Sequence, residues 1–89
     1  MDTLQVRIVS PKGEVFKGEA TAVSSRNSVG NFDILPQHAN FVTLVRSEKI
    51  VVRLISGKAV EFKYDLAIVH AGLGKVDIYT DVPEEMTAK

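Results

Sequence analysis

Few residues in this 89-residue chain are equipped for chemistry. It has two histidines, His38 and His70, and no cysteine. A thiolate nucleophile, a disulfide framework and a Cys-ligated zinc are therefore excluded. His38 sits in the most distinctive stretch, Gly30-Asn31-Phe32-Asp33-Ile34-Leu35-Pro36-Gln37-His38-Ala39-Asn40-Phe41-Val42-Thr43. As a general base it needs a nucleophile or an orienting carboxylate beside it. Asp33 is near in sequence, but nothing in the sequence brings the two together. A zinc site with two histidines would need carboxylates to complete it. A corner histidine bonded to backbone, or set in a protein interface, is the reading the residues favour. His70 ends an apolar run and reads as a strand-end surface residue. Gly72-Leu73-Gly74-Lys75 resembles part of a phosphate loop but fails its pattern: Val69 stands where the first glycine is required, and Val76 where Ser or Thr should follow the lysine. It reads as a hairpin turn. The hydroxyls of Ser24, Ser25 and Ser28 have no Gly-x-Ser-x-Gly elbow and no partner base. Their loop reads as solvated, with Arg26 and Asn27 available to a partner's polar surface. Asn27 is also one of the few non-glycine residues that tolerates positive φ.

The elements that must position these residues are strands. Leu4, Val6 and Ile8 alternate with Gln5, Arg7 and Val9, the pattern of a half-buried strand. Ser10-Pro11-Lys12-Gly13 is a turn. Val15-Phe16 and Ala20 to Val23 read as two further strands on either side of Gly18, and Ser24 to Gly30 as a polar loop. Phe32 to Leu35 and Phe41 to Val45 flank the Pro-x-His-Ala corner. Pro36 has no N–H for a ladder, so it should end a strand or lie on an edge. Lys49 to Ile55 and Val60 to Tyr64 alternate around the Ser56-Gly57-Lys58 turn. Leu66 to Val69 is an apolar run, Ala71 to Gly74 a turn, and Val76 and Ile78 alternate with Lys75, Asp77 and Tyr79. No segment holds a 3.6-residue period over three turns. Many short strands between turn signals predict an all-β fold, a sandwich or barrel.

Composition bounds the role. The length is that of one domain, with 45% hydrophobic and 25% charged residues, ordinary for a globular protein. Eleven basic and eleven acidic residues cancel, so no global charge draws the chain to nucleic acid or to an anionic bilayer. No apolar run approaches the roughly 18 residues of a membrane span. Met1-Asp2-Thr3 shows no basic region of a secretory signal. Membrane association is expected only through another protein.

Two stretches carry a family resemblance. The opening Leu4-x-Val6-x-Ile8-Val9-Ser10-Pro11-x-Gly13-x-Val15-Phe16-x-Gly18-x-Ala20 is one. The other is Gly30-x-Phe32-x-Ile34-Leu35-Pro36-x-His38-Ala39, followed by Val42-Thr43. With Gly57, Phe62, Gly74, Val76 and Asp81 at matching intervals, the chain resembles the N-terminal β-sandwich domain of the epsilon subunit of F-type ATP synthases over residues 3–82. The resemblance implies a flattened sandwich of two antiparallel sheets with about ten short strands. It implies a domain over 1–83 with a polar tail over 84–89. It also implies a non-catalytic rotor subunit without cofactor or metal, joining the gamma subunit to the membrane c-ring. Such a subunit lies peripherally on the cytoplasmic face of the inner membrane. Ser10, His38 and Thr43 occupy positions that lie against gamma in the family. Asn31 occupies the position that meets the c-ring loops, beside the loop Arg26, Asn27, Ser28, Val29 and Gly30.

The departures are also informative. Asp33 and Gln37 stand where the family usually has Gly, and Asn40 where it has Pro. Arg26-Asn27 replace a Pro-Gly, with Asn27 able to supply the left-handed conformation of the glycine. Leu66-Ala67 replace a double glycine, and His70 an acidic residue. Family members usually continue into two C-terminal helices that can brake hydrolysis and in some members bind ATP. This chain ends at Lys89, and without those helices no nucleotide is expected to bind. The alternative is a free-standing sandwich of the same fold that serves a different protein partner.

Overall fold

The computed structural model describes residues 3–36 and 40–80. Within them lie eight strands and no helix: β1 (Leu4–Ser10), β2 (Gly13–Arg26), β3 (Asn31–Ile34), β4 (Phe41–Val45), β5 (Lys49–Leu54), β6 (Ala59–Lys63), β7 (Ala67–Gly72) and β8 (Lys75–Thr80). The all-β class is as the alternation predicts. The strand count among the described residues is lower than expected because β2 runs unbroken for 14 residues. Val15-Phe16 and Ala20 to Val23 both belong to it, and Ser24 to Arg26 extend it into what reads as loop. Gly18 does not break this strand; it makes room on it. A Cβ at Gly18 would lie 3.2 Å from Cζ of Phe16, so the bare backbone admits that ring.

The strand order is β4-β7-β8-β1-β2-β5-β6, with β3 also on β2. One long strand therefore serves two layers. Gly13 to Ala20 of β2 pairs with β1, whereas Val23 to Arg26 pairs with β3 and Ala20 to Ser24 with β5. The register slips between Ala20 and Ala22, and a bulge bends and twists a strand. The first layer is β4-β7-β8-β1 with the start of β2, and the second is β3, the end of β2, β5 and β6. The molecule's thinnest extent is 20 Å, as two sheets about 10 Å apart require. All pairs are antiparallel except β1 with β8. These two strands meet from opposite ends of the described chain, so no hairpin dictates their direction.

The inward set is legible from the alternation. Leu4, Val6 and Ile8 of β1, Val76 and Ile78 of β8, and Ala67, Val69 and Ala71 of β7 are fully buried. They meet Val23, Ile34, Ile50 and Val52 of the second layer in one cluster. An aromatic pair closes each side of the sandwich. Phe16 of β2 meets Phe62 of β6, and Phe32 of β3 meets Phe41 of β4, each with centroids 5.3 Å apart and planes tilted by 59°. Such pairs add about 0.5–1.5 kcal/mol beyond the area they bury.

Candidate protein-docking site

The two outer faces of the sandwich differ. On the second layer the outward positions are mostly charged: Arg26, Asp33, Lys49, Arg53, Glu61 and Lys63 are all exposed. Asp33 accepts a hydrogen bond from Ser24 Oγ, and Lys49 lies 3.7 Å from Glu61. The first layer is different. Register places Leu44 of β4 beside Ile68 of β7, Ile68 beside Tyr79 of β8, and Tyr79 beside Val9 of β1. These four residues form an apolar row across four strands on the outside of the sheet. Leu44 is 46% exposed and Val42, on the same face, 64%. The next row out, His70, Asp77 and Arg7, is polar, with Arg7 Nε 3.6 Å from Asp77 Oδ1. The face is thus an apolar band with a charged margin, the layout of a protein interface.

Ser10 and Thr43 flank the two ends of this row. Ser10 follows Val9 and is fixed in the β1–β2 turn: its Oγ accepts from Lys12 N and donates to Gly13 O, both at 3.2 Å. Thr43 lies next to Leu44 but points inward, in register with Val69 and Ile78. It is half-buried, and Asn27 Nδ2 donates to its Oγ1 at 3.0 Å. By strand spacing the two residues are about 15 Å apart, three strands at ~4.8 Å each, so they bracket a surface without touching. His38 lies outside the described residues, as do Asp81 and the tail over 84–89.

The second predicted group forms a rigid tip. Arg26 and Asn31 are the last rung of the β2–β3 ladder. Asn27 N donates to Gly30 O at 3.0 Å, and Asn27 Oδ1 accepts from the N–H groups of Val29 and Gly30 at 2.9 and 3.1 Å. The expectation that Asn27 supplies a left-handed backbone is not met: Ser47 is the non-glycine residue with positive φ among those described. Gly30, at φ +149°, takes the unusual backbone, and Asn27 works through its side chain as an Asx turn. The result is an exposed Ser28 and a Val29 that is 93% exposed on a pinned loop. The structure brings this tip against Thr43, joining the two groups of predicted residues.

Among the described residues no group of three His, Cys, Asp or Glu side chains is placed to hold a metal. His70 is exposed on the first layer and faces Val42 and Asp77 in register. Residues 72–75 are the β7–β8 hairpin, with Gly74 at φ +75°.

The sequence matches the family model for the β-sandwich domain of the ATP synthase delta/epsilon chain over residues 3–85. The chain belongs to that family. An ATP synthase epsilon chain of Xanthomonas campestris is 33% identical over 81 residues, which take in 91% of this chain and 58% of the relative. One from Nitratiruptor is 38% identical over 58 residues, 65% of this chain and 45% of the relative. The chain thus spans less than two-thirds of these relatives. A chain in the Euglena gracilis mitochondrial ATP synthase structure of OSCP, F1 and c-ring superposes with a TM-score of 0.81 at 18% identity, over 97% of this chain and 59% of that one. One in the central stalk and c-ring of the Tetrahymena thermophila enzyme gives 0.70 at 12%, over 86% and 62%. At such identities the likeness is one of fold.

The apolar row is the feature that motif reading missed. Its signal is present in the strands themselves. Phe41-Val42 and Leu44-Val45 of β4, and Ala67-Ile68-Val69 of β7, are apolar at successive positions rather than alternate ones. A strand apolar on both faces needs cover on both.

Proposed function

We propose that the chain is a non-catalytic rotor subunit of an F-type ATP synthase, clamping the gamma subunit to the c-ring. In this role it couples proton or ion flow to ATP synthesis. The observation that carries the reading is the apolar row Val9-Tyr79-Ile68-Leu44 with Val42 beside it, set against a charged second face. Gamma docks on that row, with Ser10 at one end and Thr43 at the other; His38, which the family resemblance also assigns to gamma, lies outside the described residues. The Arg26 to Asn31 tip reaches the ring's exposed loops. The similar epsilon chains and the ATP synthase assemblies that contain the superposing chains support the assignment.

A rotor link needs stiffness rather than reactivity. A two-layer sandwich pinned at Asn27 and closed by aromatic pairs on both sides supplies it. The subunit is peripheral, at the cytoplasmic face of the inner membrane, and is held there by its partners. Among the described residues no helix is long and apolar enough to cross a membrane. Neither cofactor nor nucleotide is needed for this role.

The test is reconstitution with gamma and the c-ring of the same organism. A gamma complex that then captures the ring supports the reading. A folded chain that binds neither partner would return it to the alternative, an interaction module with another partner.

A further inference from the structure

The β2–β3 tip and the β4–β5 turn enclose a cleft of about 280 Å³ lined by Arg26, Asn27, Ser28, Leu44, Arg46 and Glu48. Both arginines are exposed, and neither has an ion-pair or hydrogen-bond partner among the described residues. Their backbones are fixed. Arg26 is the last residue of β2 and pairs with Asn31. Arg46 precedes Ser47, whose N–H donates to the carbonyls of Tyr64 and Asp65 at 3.1 and 3.2 Å. Two arginines therefore line one small opening from well-anchored backbone positions. Glu48 lines the same cleft but lies beyond ion-pair distance of either. Each guanidinium offers a planar fork of donors matched to a carboxylate.

We propose that this cleft receives a side-chain carboxylate from the partner loop that meets the β2–β3 tip. The inference rests on the rotor reading above and adds the sign of the partner: the ring loop facing this chain is acidic where it enters between Arg26 and Arg46. A protein loop fits better than a lipid phosphate. Val29 stands 93% exposed on the same tip. The cations therefore come with an apolar contact that a loop can cover and a hydrated headgroup cannot.

The test uses the full chain bound to gamma, with the purified c-ring in detergent, at low and high salt. The double variant R26Q/R46Q lowers ring affinity about tenfold at low salt, as two exposed charge pairs allow. It also flattens the salt dependence and leaves gamma affinity unchanged. Glu48→Gln raises ring affinity about twofold by removing the competing charge. Wild-type affinity in R26Q/R46Q, with circular dichroism unchanged, overturns the proposal and leaves the rotor reading standing. A wild-type gamma complex that never captures the ring overturns both. Vesicles containing phosphatidylglycerol provide the remaining arm. Vesicle binding that R26Q/R46Q abolishes, with ring binding unaltered, assigns the cleft to a lipid headgroup and overturns the carboxylate.

Discussion

Leu44→Asp probes the docking face where its position and exposure are best defined. Leu44 points outward from β4 beside Ile68 and is 46% exposed, so nearly half of the side chain is still available to a partner. Full burial of a leucine contributes about 1.5–3 kcal/mol. The exposed share therefore makes about 1 kcal/mol available on docking. Aspartate forfeits that gain and adds an unpaired carboxylate to an apolar interface, a cost of a few kcal/mol or more even after relaxation. Taking about 2 kcal/mol for the partly hydrated edge of the row, the sum is about 3 kcal/mol, or roughly a hundredfold in Kd. Leu44→Ala removes only the first part and should weaken binding about fivefold. The assay is calorimetric titration of each variant with purified gamma, alongside urea unfolding of the free chain. Both variants should stay folded and unfold about 1–2 kcal/mol below wild type, because the covered half of the side chain already contributes to the monomer. A Leu44→Asp chain that is folded and binds gamma as tightly as wild type would refute the assignment of this face.

Three further outcomes follow from the geometry. Ile78→Ala empties a fully buried site in β8 and should cost about 2–5 kcal/mol in urea titration, a large share of a small domain's stability. Asn27→Ala removes the bonds to Thr43 Oγ1 and to the Val29 and Gly30 N–H groups. It should destabilise the chain by about 1–2 kcal/mol and speed hydrogen exchange at those two amides before the core exchanges. Ser47→Gly should raise stability by about 0.5 kcal/mol, since φ +54° strains a serine more than glycine's extra chain entropy costs.

How much of this was legible depends on the range of the interaction. Leu4, Val6, Ile8, Val76 and Ile78 announce their burial by strict alternation, and all are buried. Pro36 lies two residues past the end of β3 at Ile34, as a residue without an N–H should. Gly18 misled because a glycine inside an apolar pattern usually marks a break. Here the reason for it is the Phe16 ring above it, which no local pattern shows. Asn27 was legible as a turn residue, but the mechanism was not: backbone tolerance is a property of the residue, whereas its bond to Thr43 joins positions 16 apart. Arg46 went unnoticed for the same reason. It gains meaning only when the β4–β5 turn lies beside Arg26. The pairing of β1 with β8 is longer-range still and has no sequence signal.

These long-range contacts converge on β4, and that bears on how the domain could transmit force. Leu44 faces outward into the apolar row, Thr43 faces inward and holds Asn27, and Phe41 packs on Phe32 of the other layer. One five-residue strand thus touches the outer apolar row, the β2–β3 tip and the opposite sheet. A load applied at the tip would pass into β4 through the Asn27–Thr43 bond and the Phe32–Phe41 contact. It would then cross the first layer through the ladder to β7, β8 and β1, along the same strands that present the row. Neither surface is carried on a long loop, and the sandwich interior between them is close-packed and resists compression. A module that only bound a partner would require one such face. The sharing of β4 by two exposed surfaces with different chemistry, one apolar and one cationic, is what favours a link between two partners over a single docking event.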